Sequence, residues 1–180
     1  MNIISKSELK SFRNTTRLSY KSLNESLREF KAESKYGKIT IFLSHKHDER
    51  EEVDGTINFL KQFGVEIYVD WLDQDMPKTT NGVTAHRIKQ KIKENKKFIF
   101  LATERAISSK WCNWELGHGD AEKYLNHIAI LPIKNNYSDF SGSEYLQIYP
   151  YIYESSSVPG AYFIKYPNGE VKNVISWLKY

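Results

Sequence analysis

The 180-residue chain has one cysteine, no apolar stretch long enough to span a bilayer, and a formal net charge of only +4. A single cysteine excludes a disulfide framework within the chain and favours a reducing compartment. A membrane-spanning helix needs about 20 apolar residues, and the N-terminus lacks the apolar segment of a signal peptide. We therefore expect a cytoplasmic protein. The charge is scattered along the sequence, which argues against binding to nucleic acid or to a membrane surface.

Motifs of several common functional classes are also absent. The apolar run at residues 39–43 is followed by SHKHDE rather than by a glycine-rich phosphate loop, which argues against a dinucleotide-binding fold of the usual kind. Ser44 does not lie in a G-x-S-x-G motif, so we do not expect a serine hydrolase. His45 and His47 could bind a metal ion, but no second group of ligands has a suitable spacing, and we expect no metal site. The basic stretch at residues 89–97 is typical of the solvated face of a helix.

Short apolar runs alternate with helical patterns from residue 39 onward. A short continuous apolar run is typical of a strand that is buried on both faces. Such runs predict five strands, at residues 39–43, 65–69, 98–102, 127–133 and 161–166. Their alternation with helices predicts an α/β fold with a parallel sheet covered on both faces. Asp48, with Glu51 three residues later, predicts the N-cap of the helix that follows the first strand.

The first 36 residues have a helical pattern of their own. Apolar side chains recur there at spacings of three and four or their multiples, at Leu9, Phe12, Tyr20, Leu23, Leu27 and Phe30. We expect an N-terminal helical extension over residues 1–36, followed by one domain over residues 37–180. An amphipathic helix usually covers the core of its own chain, so packing against the domain is favoured over pairing with another chain.

The segment SSKWCNWELG, residues 108–117, combines two tryptophans, the cysteine and a carboxylate. Its serines can cap a helix, in which Trp111 and Glu115 are four residues apart and share one face. A buried carboxyl group beside an aromatic ring would have a raised pKa and could hold a planar or cationic group. The spacing alone favours the alternative, an amphipathic helix with two core tryptophans and one solvated glutamate.

The predicted sheet brings several polar residues to one edge. Ligands of parallel α/β sheets bind beyond the carboxyl ends of the strands, where the strand order reverses. Ser44, His45 and Lys46 follow the first strand, and Thr103 follows the third. If these strands are neighbours, the helix that carries Glu115 begins nearby. Lys46 or His45 would be suited to contact an anionic group such as phosphate.

Three segments, in this order, resemble signature pieces of the TIR (Toll/interleukin receptor) domain. IFLSHKHDE is similar to its first conserved box, and VEIYVDW with the long turn-rich loop after it is similar to its second strand and BB loop. FIFLATERAISSKWCNWELG resembles its third strand and the S-x-W-C-x-x-E-L signature of catalytic members. The resemblance covers residues 38–133, and it implies a flavodoxin-like fold with strand order 2-1-3-4-5.

The resemblance also implies a function. Many bacterial and plant TIR domains cleave NAD+ at the nicotinamide–ribose bond, and their catalytic glutamate corresponds to Glu115. NAD+ would be a substrate, with no separate cofactor. Bacterial members, which include the Thoeris-type proteins, act in antiphage defence by depleting NAD+ or by making cyclic ADP-ribose signals that a downstream effector senses. The residues expected to contact NAD+ are Ser44, His45, Lys46, Asp70, Trp71, Thr103 and Trp111.

Two interpretations from different functional classes therefore remain. The first is an NAD+-consuming enzyme whose product is ADP-ribose or cyclic ADP-ribose. The second is a non-catalytic TIR module that binds other proteins through its BB loop and helices. Self-association through TIR surfaces fits both interpretations. The presence of Glu115 favours the enzyme, because an adaptor has no need for this carboxylate.

Overall fold

The computed structural model describes residues 2–13, 39–73, 75, 81–135 and 142–179. Its strands are β1 (Ile4–Ser5), β2 (Thr40–Ser44), β3 (Glu66–Tyr68), β4 (Lys97–Ala102), β5 (Ile128–Lys134), β6 (Tyr151–Glu154), β7 (Tyr162–Lys165) and β8 (Val171–Asn173). Its α-helices are α1 (Lys6–Ser11), α2 (Arg50–Lys61), α3 (Gly82–Glu94), α4 (Glu104–Ile107), α5 (Lys110–Glu122) and α6 (Val174–Lys179). Short 3-10 helices are Asp70–Leu72, Leu125–His127 and Glu144–Ile148. None of the helices in the described ranges is long and apolar enough to cross a membrane.

The sheet has the order β3-β2-β4-β5-β6-β7-β8, and β1 pairs with β5 outside this path. Pairing is parallel from β3 to β6 and antiparallel from β6 to β8. The predicted flavodoxin-like α/β fold is confirmed, and the first four predicted strands have the expected 2-1-3-4 order. The edge beyond β5 differs from the expected order. The strand beside β5 is β6, which the apolar runs did not identify, and the predicted strand at residues 161–166 is β7, one place further out.

The burial pattern of β6 explains why its sequence did not predict a strand. Only Ile152 of this strand is fully buried, and the flanking tyrosines and Glu154 are partly exposed. By contrast, all six residues of β4 are buried, which is why that strand appears as a continuous apolar run. A strand with one buried residue has no apolar run to reveal it.

Two apolar clusters lie on opposite faces of the sheet. Because successive side chains of a strand point to opposite faces, Ile41 and Leu43 of β2 belong to one cluster and Phe42 to the other. The first cluster is completed by apolar residues of α1, α2 and α6, including Leu9, Phe59 and Trp177. The second is completed by apolar residues of α3 and α5, including Ile88, Ile92 and Leu116. The sheet is thus covered by helices on both faces, as predicted.

The described N-terminal residues belong to the first cluster. Leu9 of α1 is fully buried, and burial of such a side chain contributes roughly 1.5–3 kcal/mol. The helices α1 and α2 approach so closely that a Cβ atom at Gly55 would lie 2.3 Å from the backbone oxygen of Leu9. Helix α1 therefore packs against its own domain. The rest of the predicted helical pattern, from Tyr20 to Phe30, lies outside the described residues, and the boundary at residue 36 stays a prediction.

Helix α2 begins differently from the sequence prediction. Glu49 occupies the N-cap position and makes no side-chain capping bond, so the predicted cap by Asp48 is wrong. The carboxylate of Asp48 instead forms an ion pair with Arg105, which lies on α4. The side chain of Asp48 is thus paired with a residue remote in sequence rather than with the start of α2.

Candidate active site

Helix α5 buries the carboxyl group of Glu115 near the carboxyl end of β2. Ser109 caps this helix as predicted, and its hydroxyl accepts a bond from the amide of Cys112. Glu115 is only 2% exposed, which rules out the alternative of a solvated glutamate. The Ser44 hydroxyl donates a hydrogen bond to Glu115 Oε2 at 2.6 Å. The two residues are thus held together from β2 and α5, although 71 positions separate them.

The environment of Glu115 favours its neutral form in the free protein. Burial raises its pKa well above the ordinary value, and the negative charge of Asp70 raises it further. Hydrogen bonds from Ser44 and Trp111 act in the opposite direction but do not outweigh burial. A positive charge brought close to this group would stabilise the carboxylate and reverse the balance.

His45, the residue that follows Ser44, is also buried. Its Nδ1 atom lies 2.9 Å from the carbonyl oxygen of Leu43 and donates to it. Burial lowers the pKa of the imidazole, an effect that the charge of Asp70 reduces without cancelling. The ring is therefore neutral, with its proton on Nδ1. The Nε2 atom has no hydrogen-bond partner among the described residues and lies 3.6 Å from Asp70 Oδ1.

Asp70 follows β3 and is surrounded by polar donors. His47 Nε2 lies 2.6 Å from Asp70 Oδ2, and the amide of Trp71 donates to Oδ1 at 2.8 Å. Burial would raise the pKa of Asp70, but the hydrogen bond from His47, the electrostatic interaction with the two imidazoles and the bond from the Trp71 amide outweigh it and lower the pKa. The bond to Asp70 raises the pKa of His47 in turn. The Trp71 ring lies edge-on to His45, with the Arg50 guanidinium over its face.

A cavity of about 210 Å³ opens at this edge of the sheet, lined by His45, Lys46, His47, Ser109, Trp111 and Cys112. Glu115 does not line it. Trp111, which is hydrogen-bonded to Glu115, does line it, so the carboxyl group lies next to a residue of the cavity lining. Ligand pockets typically have about 300–1,000 Å³, so the cavity in this conformation would hold only part of a dinucleotide.

A larger cavity of about 540 Å³ lies elsewhere, on the β5–β6 side of the sheet. Its lining includes Ile130, Leu146, Tyr149 and Tyr151 and contains neither a carboxylate nor an imidazole. We therefore assign the candidate site to the smaller cavity, on the basis of its chemistry rather than its size.

The thiol of Cys112 is not a candidate nucleophile. Its Sγ atom donates to the carbonyl oxygen of His45 at 3.2 Å. Burial raises the pKa of the thiol to about 12, so it stays protonated, and a thiol is a poor nucleophile.

Most of the residues expected to contact NAD+ converge at this edge, but Thr103 has other partners. Its hydroxyl donates to Glu49 at 2.5 Å and accepts from the amide of Ala106, thereby capping α4. With its proton engaged, the hydroxyl has none left for a ligand in this conformation. Sequence reasoning missed two polar features, Glu49 and the partnership of His47 with Asp70. Adjacent ends of the parallel strands β2 and β3 were the signal that could have revealed this partnership.

Comparison with known proteins agrees with the geometry. A sequence model of the TIR domain matches residues 41–154. The chain is 35% identical over 117 residues to the "Probable 3' cyclic ADP-D-ribose synthase ThsB'" of Bacillus cereus (strain MSX-D12), covering 62% of this chain and 59% of that protein. It is 32% identical over 109 residues to the "Probable 2' cyclic ADP-D-ribose synthase TcpO" of Methanobrevibacter olleyae, covering 57% of this chain and 30% of that protein.

These alignments span less than two thirds of the relatives' own lengths. They agree with membership of the TIR family but do not establish the activity of this protein. The TIR match itself extends over more than half of the chain, from β2 to the end of β6, and includes every element that places Glu115. The chain belongs to the TIR domain family.

Proposed function

We propose that the protein is an enzyme that cleaves NAD+ between nicotinamide and ribose and releases either ADP-ribose or a cyclic ADP-ribose. The observation that carries the proposal is the buried carboxyl group of Glu115, which Ser44 holds by a hydrogen bond and which is also bonded to Trp111 of the cavity lining. The names of the relatives, both synthases of cyclic ADP-D-ribose, support the same substrate.

The chemistry of the bond fits one carboxylate rather than two. Cleavage at the ribose carbon passes through an oxocarbenium-like transition state, as in glycoside hydrolysis. Nicotinamide leaves as a neutral molecule, so no general acid is needed. The carboxylate of Glu115 would bind the ribose hydroxyls and stabilise the positive charge that develops on the sugar. The positive charge of bound NAD+ would itself favour ionisation of this carboxyl group.

Access to Glu115 is the first requirement of this mechanism. Trp111 is only partly buried, lines the cavity and is bonded to the carboxyl group of Glu115. We propose that its indole turns aside when substrate enters and then packs against a ring of the dinucleotide. Lys46, which also lines the cavity, would pair with the pyrophosphate. Ser44 would act as a positioning residue through its bond to Glu115.

The product depends on which atom captures the ribose cation. Capture by water gives ADP-ribose, whereas capture by an oxygen or nitrogen of the adenosine part gives a cyclic product. The names of the two relatives favour a cyclic product. A cyclic nucleotide would act on a separate effector protein, which is consistent with a signalling role in antiphage defence. The single free cysteine is consistent with the cytoplasm as the place of reaction.

The small cavity favours self-association as part of the activity. A volume of about 210 Å³ is below the usual range for a ligand pocket, so a neighbouring copy of the chain would supply the missing wall. The alternative function, a TIR module that only binds proteins, would use such surfaces without turning over NAD+.

The test is a product assay on concentrated protein with NAD+, analysed by chromatography and mass spectrometry. We expect nicotinamide from the unaltered protein and none above background from Glu115→Gln. The matched control is Glu122→Gln, an exposed acid on the same helix, which should retain activity. Equal turnover in Glu115→Gln would refute the assignment. Absence of turnover in the unaltered protein, also in cells challenged with phage, would establish the interaction module instead.

A further inference from the structure

Three metal-ligating side chains converge beside the cavity, among the residues that the structure describes. His45 and His47 follow β2, and Asp70 follows the neighbouring strand β3. One ligand atom from each of the three lies within 4.8 Å of the other two. The expectation of no metal site considered ligands near the histidines in sequence. The fold supplies Asp70 from 23 positions beyond His47.

The unpartnered nitrogen of His45 is independent evidence for a ligand at this point. The side chain of His45 is 2% exposed, and its Nε2 atom has no hydrogen-bond partner among the described residues. Leaving a buried polar atom unsatisfied costs free energy, unless something else occupies the position. The Nδ1–H of the same ring is bonded to the carbonyl oxygen of Leu43. Histidines that bind metals almost always donate their second ring N–H to a carbonyl or carboxylate in this way.

The three ligand atoms lie within 4.8 Å of one another, so the cluster would contract by up to about 1.5 Å to surround an ion. Ligands at about 2.0–2.2 Å from a tetrahedral zinc lie roughly 3.3 Å from one another. His45 Nε2 and Asp70 Oδ1 are already 3.6 Å apart. His47 Nε2 is hydrogen-bonded to Asp70 Oδ2 at 2.6 Å and would have to withdraw from this oxygen to make room for an ion. The His47 side chain is 53% exposed, so nothing rigid prevents that movement.

The Asp70 carboxylate is held in place by the backbone. The amide of Trp71 donates to Asp70 Oδ1 and fixes the carboxylate plane. Both histidines line the cavity, which leaves space for a water molecule or a substrate oxygen beside the ion. Three protein ligands with an open fourth position form the usual arrangement of non-structural zinc sites.

We propose that His45, His47 and Asp70 bind a divalent transition-metal ion, with zinc as the best match. Two imidazole nitrogens and one carboxylate oxygen suit zinc and its neighbours in the first transition row. Calcium and magnesium prefer a shell of oxygens, which this cluster does not offer. The site does not depend on the proposed NAD+ cleavage, since it follows from the ligand geometry alone.

The experiment measures metal binding without reference to turnover. The full chain, purified without a histidine tag and freed of metal by chelation, is titrated with zinc by calorimetry and with cobalt by visible absorption. We expect one ion per chain, cobalt bands typical of a tetrahedral site with nitrogen ligands, and no binding of magnesium. His47→Ala removes an exposed ligand and should weaken zinc binding by at least about tenfold.

The matched control is His86→Ala, which removes an exposed histidine on α3, away from the cluster. It should bind zinc as the unaltered chain does. Asp70→Asn provides a second variant that removes a ligand charge with little change in shape, and it should also weaken binding. Equal zinc affinity in the unaltered chain and in His47→Ala would overturn the proposal, as would the absence of cobalt bands.

Discussion

Two buried glutamates lie near the carboxyl ends of the central strands. Comparing them distinguishes a candidate catalytic acid from an acid with a structural role. Glu115 and Glu49 are 2% and 3% exposed, and each accepts a short bond from a hydroxyl, of Ser44 or of Thr103. Burial raises the pKa of both. Burial and a hydroxyl donor therefore do not by themselves identify a catalytic acid.

The partners of the two acids differ. Trp111, which is bonded to Glu115, lines the cavity, and no basic residue in the described ranges forms an ion pair with Glu115. Glu49 has Lys6 at 3.8 Å, and its hydroxyl partner Thr103 caps a helix. Neither of the two described cavities is lined by these partners of Glu49. The cationic partner of Glu115 would be supplied by substrate, whereas that of Glu49 is supplied by the protein.

The most direct test of this difference is to remove each carboxylate in turn and measure NAD+ turnover. Glu115→Gln keeps the shape but removes the charge that would stabilise the transition state, and we expect a loss of at least about 100-fold. Glu49→Gln should leave turnover within a few-fold of the unaltered protein. Equal losses in the two variants would show that burial alone, rather than position beside the cavity, decides the effect.

The second prediction concerns the structural side of the comparison, where α1 carries Lys6 to Glu49. Gly55→Ala places a methyl group 2.3 Å from the backbone oxygen of Leu9 and forces α1 away from α2. We expect a loss of about 1–3 kcal/mol in the free energy of unfolding, measured by denaturant titration. Turnover per folded molecule should hardly change.

Gly117→Ala is the control for this substitution. Gly117 lies on α5, and no atom outside the backbone of its own helix lies within 4 Å of the position that a methyl group would take. Alanine there should raise stability by up to about 1 kcal/mol, because alanine favours a helix over glycine. A Gly55→Ala protein as stable as the unaltered chain would mean that the N-terminal segment does not hold its place in the core.

The same comparison shows what sequence could and could not predict. Continuous apolar runs revealed β2, β4 and β5, and the four-residue spacing of Trp111 and Glu115 placed both on one helical face. Contacts between strand ends were not visible, because the bond of His47 to Asp70 spans 23 positions and that of Thr103 to Glu49 spans 54. Without the contact to Glu49, the sequence predicted that Thr103 contacts the ligand. Its position just before α4 was equally typical of a helix N-cap.

The smallest effect is on the pH dependence of stability. A carboxyl group whose pKa is raised by folding binds its proton more tightly in the folded state. Stability then falls as the pH rises above the ordinary value of 4.5, and it levels off above the folded pKa. Glu115→Gln removes this loss, so we expect the variant to gain stability relative to the unaltered protein as the pH rises above 4.5.

Glu49→Gln should shift stability in the same direction but by less, because Thr103 and Lys6 oppose the effect of burial on its pKa. Denaturant titrations across this pH range would measure both differences against the same unaltered chain. A Glu115→Gln curve parallel to that of the unaltered protein would contradict the raised pKa. A larger gain for Glu49→Gln than for Glu115→Gln would contradict this prediction. It would mean that burial of Glu49, rather than of Glu115, costs the folded protein more stability.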